Sequence, residues 1–71
     1  MRGIEQVRAM VDKQCIVRFM LHDGEYHCEV QQFTGKPHIG VEGSASSMQG
    51  ALSIAYSLWK DATRAIEIGK L

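Results

Sequence analysis

The chain has 71 residues, 45% of them hydrophobic, and a single core of this size supplies only a few kcal/mol of net stability and leaves little room for an enclosed catalytic pocket. Eight Lys and Arg residues balance eight Asp and Glu residues, so no global charge attracts the chain to nucleic acid or to an anionic membrane. We therefore expect one domain, residues 1–71, that is not an enzyme and uses no cofactor.

The first predicted element is a short helix in the segment GIEQVRAMVDK. Ile4, Val7 and Val11 lie on one side at helical spacing, with Met10 beside them. This spacing is typical of an amphipathic helix, whose apolar side normally faces a core.

Two strands, CIVRFMLH and EYHCEVQQF, follow and are separated by Asp23-Gly24. That dipeptide predicts a hairpin, because a type I′ turn needs positive φ at both central residues. Pairing His22 with Glu25 brings apolar residues together on one face, whereas a shift of one residue would mix the two faces. The inner pairs are then Leu21 with Tyr26, Phe19 with Cys28, and Val17 with Val30.

The segment TGKP predicts a second tight turn, with Gly35-Lys36 as its two-residue loop. Pro37 would open a third strand at an edge of the sheet, where a missing N–H does least harm. The sequence therefore predicts a three-stranded antiparallel meander. The inner pairs of this second hairpin are Val30 with Val41, and Gln32 with Ile39.

The last predicted element is a long helix that covers the inner face of the sheet. Ser46 and Gln49 have the spacing of a capping box, and Gly69 is a typical stop signal. The fold class is therefore α+β, with the order α-β-β-β-α and the meander packed on the C-terminal helix. The apolar face of this last helix comprises Met48, Ala51, Leu52, Ala55, Trp59, Ala62 and Ile66, widened by Ile54, Leu58 and Ala65.

The stretch MLHDGEYHC contains the residue types of a metal site. In the predicted register His22, Glu25 and His27 share the outer face of the sheet, whereas Cys28 points to the core and His38 lies at the far end. At most three ligands could then converge, without the supporting hydrogen bonds that orient metal ligands. We expect a solvated hairpin face and no metal.

The sequence also lacks the combination of residues that catalysis would need. Cys15 and Cys28 lack the close spacing of a zinc or redox motif and are interpreted as small buried residues. Glu29 and Glu42 would be neighbours across the second hairpin, but a flat open sheet does not enclose them in a way that shifts pKa values. With Arg18 nearby, we interpret them as a solvated salt-bridge cluster.

The order helix, three-stranded meander, long helix, together with GKPHIGVEGSASSMQGALSIAYSLW, resembles a double-stranded-RNA-binding domain. The resemblance implies the scaffold of that family and a capacity to bind RNA. The family reads RNA with lysines at the start of its last helix, a loop histidine between its first strands and polar residues on its first helix. Here that helix begins SASSMQGAL, and the hairpin closes in two residues. Binding would depend on scattered basic residues, namely Arg2, Arg8, Lys13, Arg18 and Lys36.

A second resemblance lies in VRFMLHDGEYHCEV followed by VEGSASSMQGALSIAYSLW. This order is similar to the strand, strand, strand, helix core of HicB-like antitoxins, whose small N-terminal domain binds a partner protein. The resemblance implies a protein partner. The acidic pair usual at the start of that helix is missing here.

The outer face of the predicted sheet mixes exposed apolar residues with charges, a composition that suits protein binding. We therefore predict a non-enzymatic protein-interaction module, a small regulator or inhibitor of the kind that phages and other mobile elements encode; weak binding of double-stranded RNA is the alternative. Self-association is one version, through Tyr56, Leu58 and Trp59, although the spacing of Trp59 also places it in the core. The predicted binding residues are Ile16, Arg18, Met20, His22, His27, Glu29, Phe33 and His38.

The segment MRGIEQV lacks the apolar stretch of a signal peptide, and the sequence contains no apolar run long enough to cross a bilayer. We accordingly expect no membrane association. The sequence predicts a cytoplasmic protein.

Overall fold

The computed structural model describes residues 2–33 and 38–69. It confirms the predicted α+β order, and its three strands form one antiparallel sheet in the order β1-β2-β3. The predicted Gly35-Lys36 loop and Pro37 lie outside the described residues. The elements are helix α1 (Gly3–Asp12), strands β1 (Cys15–His22), β2 (Glu25–Gln32) and β3 (Ile39–Ala45), and helix α2 (Met48–Gly69).

The first hairpin has the predicted turn and register. Asp23 and Gly24 have φ angles of 52° and 76°, as a type I′ turn requires. His22 pairs with Glu25, and each inner pair predicted from that register is present, with Met20 opposite His27 and Arg18 opposite Glu29 on the outer face. The second hairpin likewise pairs Val30 with Val41. Turn chemistry and residue alternation therefore determine the faces of the sheet.

The core lies between the inner face of the sheet and the two helices. Helix α2 packs over β3 and β2, whereas the shorter α1 packs over β1 and against α2. The prediction that Trp59 belongs to the core is confirmed. The buried apolar residues are Met10, Cys15, Cys28, Val30, Ala51, Leu52, Ala55 and Trp59.

Helix α2 approaches β3 most closely at Gly43. A Cβ atom at this position would lie 2.6 Å from both the Ala51 carbonyl oxygen and the Ala55 nitrogen, and 2.9 Å from the Ile54 Cβ. Two of these atoms belong to the backbone of α2, which cannot move without displacing the helix. Only glycine fits this position in the observed packing.

A polar contact lies at the end of the core that is farther from the Asp23-Gly24 turn. The indole Nε1 of Trp59 donates a hydrogen bond of 2.8 Å to Oε1 of Gln32. The Cys15 thiol donates to the same oxygen over 3.7 Å. The buried indole N–H is therefore satisfied, which avoids the cost of an unpaired donor in the core.

The buried side of α1 differs from the apolar side predicted from its spacing. Met10 is buried, but Ile4 and Val11 are exposed and the second buried residue is Gln6. Gln6 is turned inward because its Oε1 accepts a hydrogen bond of 3.2 Å from Nε2 of Gln49 on α2. The contact between the helices therefore rotates α1 and leaves part of its apolar side uncovered.

The predicted capping box at the start of α2 is wrong. Ser47 caps the helix instead, because its Oγ accepts a hydrogen bond of 3.0 Å from the Gly50 backbone N–H. Gln49 does not reach back to Ser46. Its amide donates to Gln6 and, over 3.1 Å, to the Ser53 hydroxyl.

The Gly43 contact yields a test of the fold. We expect Gly43→Ala to lower the free energy of unfolding by about 2–3 kcal/mol, since overpacking at an unyielding backbone carries a cost of this order. Urea denaturation followed by Trp59 fluorescence measures it.

Gly40→Ala is the matched control in the same strand. A Cβ atom at Gly40 would meet nothing within 4 Å, so this variant should stay within about 0.5 kcal/mol of the parent or be slightly more stable. Equal losses in the two variants would contradict the account of the helix–sheet contact.

Candidate functional site

The structure places the predicted binding residues on one face of the sheet. On β1, Ile16, Arg18, Met20 and His22 alternate with the inward residues, and His27 and Glu29 lie opposite Met20 and Arg18 on β2. The other two candidates lie just outside the strands. There the ring of Phe33 contacts that of His38 edge-on, with centroids 5.4 Å apart.

Polar and charged contacts occupy the middle of this outer face. Arg18 Nε lies 3.5 Å from Oε1 of Glu29. His27 lies between two carboxylates, with Nε2 3.5 Å from Oε1 of Glu25 and Nδ1 4.0 Å from Oε1 of Glu42. The Arg18–Glu29 pair separates Met20, nearer the turn, from Ile16, which lies at the same end of the sheet as Phe33. The exposed apolar residues of the outer face are therefore divided into two parts.

The carboxylates of this face are placed as predicted. Glu29 and Glu42 lie opposite each other on β2 and β3. Each has a basic partner, Arg18 for Glu29 and His27 for Glu42. This arrangement is typical of a solvated charge cluster.

The residues of the MLHDGEYHC stretch diverge in space. His22 Nε2 lies 3.3 Å from Oδ2 of Asp23 at the exposed tip of the hairpin, His27 pairs with Glu25 on the sheet, and Cys28 is buried in the core. Over residues 2–33 and 38–69, no group of three or more His, Cys, Asp or Glu residues is placed to hold a metal ion.

The two cysteines are buried and unpaired with each other. Burial raises the pKa of the Cys28 thiol above its usual value of 9.0. Burial also raises the pKa of Cys15, and a hydrogen bond with Trp59 offsets part of that increase. Both thiols are therefore protonated at neutral pH, and a protonated thiol is a poor nucleophile.

The basic residues considered for RNA binding do not form a stripe. The acidic residues Glu5 and Asp12 lie on α1 with Arg8. On β1, Arg18 pairs with Glu29 of β2. Lys36 lies outside the described residues. The other four basic residues considered for RNA binding are exposed: Arg2, Arg8, Lys13 and Arg18.

A groove of about 340 Å³ lies between α1, β1 and the start of α2. We call it the α1–β1 groove. Apart from the amide of Gln49, its side chains are apolar. The lining residues are Gly3, Ile4, Val7, Phe19, Met48, Gln49 and Leu52.

The surface around the groove is the part of the site that sequence reasoning missed. Ile4, Phe19 and Met48 line the groove and are 66%, 39% and 50% exposed. Leu21 follows Phe19 on the inner side of β1 and is 61% exposed, and Val11 lies on the uncovered side of α1. We call these five residues, with Val7, the α1–β1 apolar surface.

The inner-face pattern predicted that Phe19 and Leu21 face the interior. Their register is as predicted, but the helices leave this corner of the sheet open. Helix α2 lies over β2 and β3, and α1 is too short to cover the whole of β1. The sequence signal for this open corner was the difference in length between the two predicted helices.

The residues considered for self-association have separate environments. Trp59 is buried, and Tyr56 packs beside it with ring centroids 5.9 Å apart. Leu58 is exposed together with Ile54, one turn before it. Because Gln49 and Leu52 face α1 on the other flank of α2, Ile54 and Leu58 lie on the flank nearer β3. They are not part of the α1–β1 apolar surface.

Comparison with known proteins finds no matching family model, no matching curated protein and no matching solved structure. The resemblances to double-stranded-RNA-binding domains and to HicB-like antitoxins therefore stay predictions. Within the two described segments, neither helix combines the length and apolar character needed to cross a membrane.

The buried thiols predict a pH dependence of stability. Because the folded state holds both thiol pKa values above 9.0, the unfolded chain loses these protons first as the pH rises. The free energy of unfolding should be independent of the thiols below pH 9 and fall above it, by at most about 1.4 kcal/mol per pH unit for each thiol.

Urea denaturation at several pH values from 8 to 10, on the parent chain and on Cys28→Ala, measures this effect. The variant will be less stable at every pH because it leaves a cavity, but its stability should fall less steeply above pH 9. Since all other titrating groups are shared, equal slopes for the two proteins would contradict the assignment.

Proposed function

We propose that this chain is a non-enzymatic protein-interaction module that docks through the α1–β1 apolar surface. The observation that carries the proposal is the exposure of five large apolar side chains, between 39% and 66%, on one side of a small domain. Contiguous apolar surface of this kind is typical of binding sites, whereas isolated exposed apolar residues are ordinary.

The layout of this side suits a protein partner. Apolar residues occupy its middle, and Glu5, Arg8 and Asp12 are exposed along one border of it, on α1. An apolar centre with a polar rim is the usual anatomy of a protein interface. The groove could receive one anchoring side chain, and burial of its walls would stabilise the complex by about 25 cal/mol per Å².

The outer face of the sheet is the second candidate surface. The Arg18–Glu29 pair divides its apolar residues into Met20 on one side and Ile16 with Phe33 on the other, so it supports docking less strongly. It could add polar contacts when a partner covers β1. RNA binding has weaker support still, because acidic residues accompany the basic ones.

A chain of this size that binds without chemistry acts by changing what its partner does. We therefore infer a regulator or inhibitor of another protein, of the kind that mobile elements encode. Its buried reduced thiols are compatible with the cytosol, where we place it. This function needs neither a metal nor a cofactor.

A pull-down of the tagged chain from lysate, run with and without nuclease, tests the proposal when combined with matched variants. Ile4→Glu places a charge in the α1–β1 apolar surface at a residue that is 66% exposed, so the fold should tolerate it. We expect this variant to lose a stoichiometric, nuclease-resistant protein partner, with at least tenfold weaker binding.

Ile68→Glu is the control, because Ile68 is 70% exposed on α2 and receives the same change in charge. It should bind like the parent. If Met20→Ala with Phe33→Ala abolished capture while Ile4→Glu did not, the docking face would be the outer sheet. Capture that disappears with nuclease would replace the proposal by RNA binding.

A further inference from the structure

Strand β1 forms an edge of the sheet with little of the usual protection. In the described part of the chain β1 pairs only with β2, over eight consecutive residue pairs without a bulge. Exposed edges are normally kept from pairing by a proline, a bulge, a short strand, a covering element or charged side chains. Cys15–His22 contains no proline, and its one arginine, Arg18, lies on the outer face and pairs with Glu29.

The turn determines which backbone groups face this open edge. In a type I′ turn the carbonyl of His22 accepts from the N–H of Glu25, so these two residues form a hydrogen-bonded pair. Because hydrogen-bonded and non-hydrogen-bonded pairs alternate along an antiparallel ladder, the N–H and C=O groups of Val17, Phe19 and Leu21 point outward. They are available to a further strand.

The inner side of a strand added at this edge would meet apolar residues. Phe19 and Leu21 are its nearest side-chain neighbours on β1, and Ile4 projects over the same side from α1. Every second residue of the added strand would point toward them. Apolar side chains are favoured at those positions, and one of them could enter the α1–β1 groove.

The outer side of such a strand would meet Arg18 between two apolar side chains, those of Ile16 and Met20. The side chain of Arg18 is 61% exposed and approaches Glu29 through Nε. Its guanidinium has further N–H donors and can bind a second carboxylate from the edge side. One acidic residue is therefore favoured on this side of the added strand, at the position beside Arg18.

We propose that the α1–β1 apolar surface and the edge of β1 together bind an extended partner segment as a fourth strand, with apolar side chains at alternate, inward positions and an acidic residue beside Arg18. This inference rests on the proposed function and specifies the chemistry of the partner. Backbone hydrogen bonds supply affinity in this mode of recognition, and the alternate side chains supply specificity.

Charge argues against two other arrangements. Edge β3 carries Glu42 on its outer face, so it would repel the acidic residue of the same segment. A second copy paired through β1 would place Arg18 opposite or diagonal to Arg18 of that copy in the registers that pair most of the strand. Like charges at those positions destabilise strand pairing.

Selection of randomised ten-residue displayed peptides on the full chain tests the proposal. We expect enriched peptides to carry apolar residues at alternate positions and one Asp or Glu between two of them. A selection repeated on Arg18→Glu should enrich Lys or Arg at that position. One synthetic peptide from the first selection should bind the parent at least tenfold more tightly than Arg18→Glu, as measured by fluorescence anisotropy.

Two variants of one residue separate backbone pairing from side-chain contact. Leu21→Pro removes an outward N–H but leaves the hydrogen bonds to β2 intact, and Leu21→Ala keeps that N–H. We expect Leu21→Pro to weaken binding of the selected peptide at least tenfold more than Leu21→Ala does. Circular dichroism of each variant verifies that it remains folded.

Several results would overturn the inference: selection of no peptide, enrichment without apolar residues at alternate positions or without the acidic residue, or equal binding by the two Leu21 variants. Sedimentation of the chain as a dimer that dissociates in Leu21→Pro would assign the edge to a second copy instead. A selected peptide that responds to Ile4→Glu but not to Leu21→Pro would overturn strand addition while leaving the proposed docking surface intact.

Discussion

The contact between α2 and β3 at Gly43 is the constraint on which the rest of the structure depends. Because a Cβ atom at Gly43 would lie 2.6 Å from two backbone atoms of α2, only glycine lets α2 pack this closely above β3 and β2. Its 22 residues extend over about 33 Å, well beyond the ends of the strands. Strand β1 is covered by α1, whose ten residues extend over only about 15 Å. The open corner at Phe19 and Leu21 follows from this division.

The opposite end of the core is held by polar contacts. Gln32 at the end of β2 accepts from the Trp59 indole, and the Cys15 thiol at the start of β1 donates to the same oxygen. This arrangement joins β1, β2 and α2 at one point. The inner face of the sheet is therefore covered where β1 begins and exposed where β1 approaches the Asp23-Gly24 turn. An asymmetric core of this kind positions the apolar surface beside the sheet edge.

The sequence was sufficient to predict the sheet. The Asp23-Gly24 turn determines the register, and alternation then assigns each residue to a face, so the outer-face candidates are placed as predicted. The rotation of α1 could not be predicted in this way, because its own apolar spacing favours Ile4 and Val11. The hydrogen bond from Gln49 to Gln6 joins residues 43 positions apart, and no local pattern signals it. For the same reason the groove was missed, since it exists only once both helices are in place.

The proposed function follows from what the helices leave uncovered. The α1–β1 apolar surface provides burial for a partner, and the edge of β1 provides backbone groups. The outer-face residues Arg18 and His22 lie along the same strand. A partner bound at β1 would therefore contact both surfaces, and these two polar residues would form part of the rim of the interface.

Amide hydrogen exchange of the chain alone tests the central claim that the edge of β1 is open. The account predicts alternation along the strand, with fast exchange at Val17, Phe19 and Leu21 and slow exchange at Ile16, Arg18 and Met20, which donate to β2. Uniform slow exchange over all six amides would contradict it, because the edge would then already be covered.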